Sequence, residues 1–351
     1  MGLLAGAFFL AFAAARALAA PAETSVAVPV APPAPAPVAG EGRVAERGEL
    51  GAWLLRAQEA SRRRTYVGTF VVLSSSGAMA TSRIWHVADG EQQVERMDAL
   101  SGAPRSTLRR NEHVITFLPE SHVARSERRE AFGLFPHLQR VGIASLADFY
   151  TARVAGSERV AGLDTDVLQL QPKDGLRYGY RLSVEKKTGF AVQLQTLATD
   201  GRVLEQAAFS DLDLDATVHA DKLLQMMANT AGYRVEKLDK TRTTAAEEGW
   251  ALRAPVPGFE PMDCYRRVAP TPTQAGAAVH TTLQWTFSDG LATVSLFVEP
   301  YGPRPRREWQ SAAGMTQMVG RRVSADWWLT AMGEVPVQTL QAFAAALERR
   351  K

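Results

Sequence analysis

The chain has 351 residues, with 40 Lys and Arg against 37 Asp and Glu, for a formal charge of +3. That balance is too even to imply nucleic-acid binding, and the length allows two domains that each bury a core. A single cysteine, Cys264, excludes an internal disulfide framework and any cysteine-built zinc site.

Residues 2–15 carry no charge and run into small residues at Ala17-Leu18-Ala19. That is the layout of a secretory signal peptide over 1–20, and the run is shorter than the roughly 20 residues a spanning helix needs. Export would place the mature chain in the periplasm or outside the cell. Residues 21–47 follow as an Ala/Pro-rich segment whose Pro29, Pro32, Pro33, Pro35 and Pro37 favour extended, disordered chain over a core. Leu50, Trp53, Leu54 and Ala57 then fall at helical spacing and predict an amphipathic helix to about Ala60. Arg62-Arg63-Arg64 closes it, where cations suit the helix dipole.

From Tyr66 the grammar changes. Tyr66–Val72, Thr81–Val87 and Gln92–Met97 are short runs rich in β-branched and aromatic residues, and Asp89-Gly90 marks a hairpin turn. Asn111–Phe117 continues the series, as do residues 151–156, 157–161, 165–171, 177–184, 190–196 and 203–209. Segment 128–139 and Leu146–Tyr150 predict a short helix or loop covering one face. The expected fold class is α+β and mostly antiparallel, with a large helix-covered sheet domain over 48–210. A linker over 211–231, with a helical patch at Leu223, Leu224, Met226 and Met227, would lead into a smaller mixed α/β domain over 232–351. In that domain a hairpin turns at Ser288-Asp289-Gly290 with one buried face, and strands follow over 318–324 and 327–332. A closing helix carries Val337, Leu340, Phe343, Ala344 and Leu347 on one side.

Chemistry-bearing patterns are scarce. The six histidines lack metal-ligand spacing, and no nucleophile elbow or phosphate-cradling loop is present. Asp211, Asp213 and Asp215 begin like a calcium loop, but Ala216 and Lys222 stand where Gly and Glu are required. The expectation is a non-enzyme with no metal and no cofactor. Two groups of residues remain. Tyr66, Phe70, Trp85, Met97, Phe117, Phe132 and Phe135 would line an apolar cleft for acyl chains if a curved sheet left one open; the plainer reading is an ordinary core. Arg105, Arg109, Arg110, Arg125, Arg128 and Arg129 lie in a stretch with three acidic residues. They would suit a lipid head group or an acidic partner, against the reading of a charged, solvated sheet edge.

Ile84-Trp85-His86, Val94-Glu95-Arg96-Met97-Asp98 and Gly102-Ala103-Pro104-Arg105 resemble the MucB/RseB family. So do Asp200–Gln206, Val256-Pro257-Gly258-Phe259, Ser288-Asp289-Gly290-Leu291, Gly320-Arg321-Arg322 and Gly333-Glu334-Val335-Pro336, collinearly over about residues 48–349. The resemblance implies a half-open barrel like the lipoprotein carriers LolA and LolB, followed by a smaller domain. It also implies a periplasmic negative regulator of an envelope-stress sigma factor. Such a protein binds the periplasmic segment of a transmembrane anti-sigma factor of the MucA/RseA kind and shields it from proteolysis. Lipid or lipopolysaccharide bound in the large domain would release the grip, with the small domain swinging about 211–231. Homo-oligomerisation stays open. The rival reading, from another class, is a periplasmic lipid or lipoprotein carrier that needs the large domain alone.

Overall fold

A computed structural model describes residues 43–90, 92–129, 135, 137–238, 240–268, 281–302 and 306–350. The signal segment 1–20, the Ala/Pro tract to residue 40 and Phe132 lie outside the described residues.

In chain order the large sheet receives β1 (Arg43–Val44), β2 (Tyr66–Ser74), β3 (Met79–Asp89), β4 (Gln92–Ala99), β5 (Ser106–Arg110), β6 (His113–Leu118) and β7 (Val123–Arg128). To these are added β8 (Tyr150–Val160), β9 (Leu163–Pro172), β10 (Gly179–Glu185), β11 (Ala191–Leu197), β12 (Val203–Asp213) and β13 (Arg234–Lys237). Their spatial order is β1-β8-β9-β10-β11-β12-β2-β3-β4-β5-β6-β7-β13. Every pairing is antiparallel except that of β13 with β7. Val160, Ala161 and Leu163, at the β8–β9 turn, pack on the same apolar cluster as Ile84 and Met97 of β3 and β4. Strands far apart in the order thus share one core, so the sheet curls into a trough.

Helix α1 (Arg47–Arg63) lies in the trough, with Leu50, Leu54 and Ala57 buried against Leu168, Leu182 and Leu194. The side chain of Glu49 reaches back to the Glu46 N–H at 3.2 Å, satisfying one donor of the helix start. Helices α2 (Leu138–Val141) and α3 (Ile143–Phe149) join this core through Leu138 and Leu146. Helix α4 (Ala220–Ala228) covers the opposite face of the sheet, where Leu223 meets Val87 and Val94, and Met227 meets Leu108 and Phe117.

The small domain has a second sheet of β14 (Lys240–Arg242), β16 (Glu260–Val268), β17 (Thr281–Ser288), β18 (Thr293–Pro300), β19 (Trp309–Ala313), β20 (Thr316–Arg322) and β21 (Trp327–Gly333). Its order is β14-β16-β17-β18-β21-β20-β19. Helix α5 (Val337–Ala346) packs Leu340, Phe343 and Ala344 on it, and β15 (Trp250–Leu252) pairs with β22 (Leu347–Arg349) beside it.

Several expectations need correction. Within the segment 21–47 expected to be disordered, Arg43 and Val44 pair with Val154 and Arg153 on the edge of β8. The runs 151–156 and 157–161 are not separate strands: β8 passes through both with a bulge between Val154 and Ser157, and Gly156 adopts φ 102°. Residues 211–231 are not a free linker. Asp211–Asp213 finish β12, α4 is packed on the sheet, and β13 extends that sheet by one strand. The large sheet's last strand ends at Lys237 and the second sheet's first begins at Lys240. The hairpin of β17 and β18 was expected to bury one face. Both faces are buried: Val294, Leu296 and Val298 join the α5 core, and Ser295 and Phe297 are buried on the opposite face.

Candidate functional site

The trough-side residues of β2, β3 and β4 form an aromatic floor. Tyr66, Phe70, Ile84 and Met97 pack with Phe190 and Phe209 under Ala60 of α1. Tyr66 meets Phe190 edge-on with ring centroids 4.8 Å apart, and stacks on His86 at 4.9 Å. Of the residues expected to line a lipid cleft, Tyr66, Phe70 and Met97 are brought together here. Phe117 belongs to the α4 core on the other face, Phe135 to the α1 core, and Trp85 packs beside Leu223 of α4 between Arg83 and Arg96. Alternation along a strand explains this: Ile84 and Trp85 are neighbours in sequence and point to opposite faces. The floor itself is closed, for Tyr66, Phe70 and Met97 are buried. A cleft of about 810 Å³ opens along α1 between Arg56, Arg63 and Leu214, and shares Ala60 and Leu214 with the floor's cluster.

Beside the floor runs a row of titratable side chains. Register places His86, Glu95 and Arg109 directly opposite one another on β3, β4 and β5, and all three are buried. His86 Nδ1 lies 2.7 Å from the Arg64 carbonyl and so donates to it, while burial holds the imidazole down at about 4. Burial pushes the Glu95 carboxyl up to about 8, with Arg109 opposing the rise. Burial also lowers Arg109 to about 10. Arg129 repels Arg105, Arg109 and, from β16 of the small domain, Arg267. The buried Nε of Arg267 has no hydrogen-bond partner among the described residues.

Three of the six expected arginines therefore converge on the trough: Arg105, Arg109 and Arg129. Arg125 pairs with Glu236 of β13 at 3.2 Å. Arg110 donates to Gln92 at 3.1 Å and Arg128 pairs with Glu112 at 2.9 Å, both one residue out of phase with the trough-facing set. Sequence reasoning missed Arg267, whose approach depends on how the two domains meet.

The domains meet at a buried polar seam. Arg177 is fully buried and donates to Asp289 Oδ2 at 2.9 Å, to Asp174 Oδ1 at 3.0 Å and to the Pro257 carbonyl at 2.7 Å. Tyr150 also donates to Asp289 Oδ2 at 2.9 Å, and Phe149 and Phe259 lie on the guanidinium at 4.4 and 5.1 Å. A Cβ on Gly258, at φ +79°, would sit 2.9 Å from both Arg177 and the Phe149 ring. Gln338 and Thr339 of α5 donate to the carbonyls of Gly175 and Leu176, Arg140 pairs with Asp263 at 3.0 Å, and Leu291 enters the α1 core. The Pro257-Gly258-Phe259 and Ser288-Asp289-Gly290-Leu291 stretches, which carry part of the family resemblance, contribute to the small domain's half of this seam.

Among the described residues no cluster of three or more His, Cys, Asp or Glu could hold a metal, and no helix is long and apolar enough to cross a membrane. Cys264 is buried, and burial with Glu248 and Glu247 nearby pushes its thiol up to about 11. A helix-filled trough, a row of buried titratable side chains beside its floor and a second domain held to the first by a buried polar seam define a two-domain, mostly antiparallel architecture.

Comparison with known proteins gives that architecture its family. The MucB/RseB N-terminal domain matches residues 49–227 and the MucB/RseB C-terminal domain matches residues 244–348. The chain belongs to the MucB/RseB family. It is 30% identical over 302 residues to the sigma factor AlgU regulatory protein MucB of Pseudomonas aeruginosa, covering 84% of this chain and 89% of that protein. It is 22% identical over 294 residues to the sigma-E factor regulatory protein RseB of Escherichia coli K12, covering 84% and 89%. Among solved structures, the Pseudomonas aeruginosa MucA/MucB complex matches with a TM-score of 0.66 and 26% identity, over 86% of this chain and 99% of that one. A structure of MucB with MucA(peri) matches equally.

Proposed function

We propose that this protein is a periplasmic regulator that binds the periplasmic segment of a transmembrane anti-sigma factor, shields it from proteolysis, and loosens its grip when an anionic lipid enters the trough. The observation that carries the first part is the match, through both domains, to MucB in its complex with MucA(peri). What supports the second part is Arg105, Arg109 and Arg129 gathered beside an aromatic floor, with Arg267 reaching in from the small domain. Guanidinium groups suit phosphate oxygens, and the floor suits acyl chains once α1 or the small domain moves aside. The coupling is reciprocal: lipid weakens the peptide only if it binds the peptide-free arrangement more tightly.

The test is a pull-down from solubilised envelopes with the mature protein, followed by titration of the captured membrane protein's periplasmic segment. Recovery of a single-span protein with a cytoplasmic sigma-binding domain is the expected result, with lipopolysaccharide fragments lowering the segment's affinity. Recovery of lipoproteins alone would overturn the regulatory reading, and an affinity indifferent to the fragments would overturn the lipid coupling.

A further inference from the structure

Glu205 and Glu334 belong to different domains, yet both are buried where those domains meet. Glu205 of β12 stands in a transverse row with Tyr180 of β10, Thr196 of β11 and Ser74 of β2. The small domain covers this row with the β19–β20 turn and with Glu334, just beyond β21. The approach is tight: a Cβ on Gly314 would lie 2.8 Å from Glu205 Oε2 and 3.2 Å from Ser74 Oγ. Tyr178 hydrogen-bonds Gln317 across the same seam.

Among the described residues, the groups facing the two carboxyls offer them no compensating charge. Glu205 and Glu334 repel one another when ionised, and Tyr178 and Tyr180 are neutral phenols. Asp289 is already held by Arg177 and Tyr150. Arg177, the buried cation of the seam, is engaged by Asp289, Asp174 and the Pro257 carbonyl, and among the described residues no cation favours the ionised form of Glu205 or Glu334. Two carboxylates in one closed seam without a counter-charge cannot both ionise at low cost.

We propose that the domain seam is a proton-operated clasp, in which Glu205 and Glu334 keep the domains closed while the pair holds at least one proton, and part them when both ionise. Burial pushes Glu205 up to about 7 and Glu334 up to about 8, the second also raised by the first. Opening returns both to water and to the ordinary carboxylate range. The closed arrangement therefore binds more protons than the open one. Closure is fully favoured below the ordinary carboxylate values and is lost as pH rises through about 7 to 8. Each proton released steepens opening by up to about tenfold per pH unit.

Hydrogen exchange of the full mature chain, read by mass spectrometry between about pH 5.5 and 8.5 and corrected for intrinsic rates, tests this. Peptides spanning 174–180, 289–292 and 314–317 should lose protection as pH rises, relative to the centres of each sheet. The double variant Glu205→Gln, Glu334→Gln should abolish that slope. A native chain with pH-independent seam protection would overturn the clasp, as would a double variant that keeps the native slope. Should the double variant fail to fold, Glu205→Gln alone decides, since it must give a shallower slope than the native chain. The experiment uses neither partner nor lipid, so its outcome is separate from that of the regulatory reading.

Discussion

Arg177 shows what a single residue does here. Its guanidinium is withdrawn from water between two domains, and Asp289, 112 positions away, is buried against it. Truncation would strip the buried Asp289 carboxyl of its counter-charge in a dry site. Arg177→Ala should therefore lower stability by about 3–5 kcal/mol, measured as a fall in the urea midpoint with loss of the seam's exchange protection. Glu95 makes a different prediction. Its carboxyl is raised to about 8, so the folded chain holds a proton that the unfolded chain releases above the ordinary range. That contribution is present at low pH and lost as pH rises through about 8. Glu95→Gln should thus be close to neutral in urea midpoint near pH 4 and increasingly stabilising as pH rises from there to about 8. His86 has the opposite sign: held down at about 4, it costs stability as pH falls from its ordinary value towards 4. None of this was legible in sequence. Ser288-Asp289-Gly290 reads as a hairpin turn because local spacing carries that signal, whereas the Arg177 partner is a long-range choice that no local pattern encodes.

Elements were legible where they bury a regular face. Helix α1 and the strands rich in Val, Ile and aromatic residues follow the period that burial imposes, and α5 shows its apolar side plainly. Strands β5, β7 and β19 escaped because their sequences, Ser-Thr-Leu-Arg-Arg, Val-Ala-Arg-Ser-Glu-Arg and Trp-Gln-Ser-Ala-Ala, alternate little or are mostly polar. The first two carry arginines that the sequence grouped by proximity and the pleat divides between faces. Helix α4 was read as linker because a nine-residue patch shows no partner, yet its Leu223 and Met227 seal the outer face of β3–β6. Met227→Ala should cost about 2–5 kcal/mol in chemical denaturation and expose Phe117 and Tyr233, which lie edge to face at 5.1 Å. Helix α1 depends on an absent side chain. A Cβ on Gly51 would fall 1.8 Å from Ile143 Cγ2 of α3, so Gly51→Ala should force the helices apart at about 1–3 kcal/mol. Thermal melts of that variant would show it.

At the scale of the whole molecule, the two-domain plan was legible and the mode of coupling was not. The expected swing about 211–231 assumed a loose connection, whereas α4 and β13 fasten that stretch to the large sheet and the seam buries charges from both sides. Any release of a bound peptide by lipid must then work against the seam. A reversible cross-link tests that requirement. A Cβ on Gly314 would stand 3.6 Å from Ser74 Cβ, within the range of about 3.5–4.5 Å that a disulfide spans. Gly314 has φ +60°, a left-handed conformation that costs a cysteine about 1–3 kcal/mol but does not forbid it. The one native cysteine, Cys264, is buried with a raised thiol and competes poorly for exchange. The variant Ser74→Cys, Gly314→Cys, when oxidised, should bind the anti-sigma segment as the native chain does and lose its response to lipopolysaccharide fragments. Reduction should restore the response. If the oxidised protein still releases the segment on adding lipid, the trough opens without parting the domains, and movement of α1 alone must admit the acyl chains.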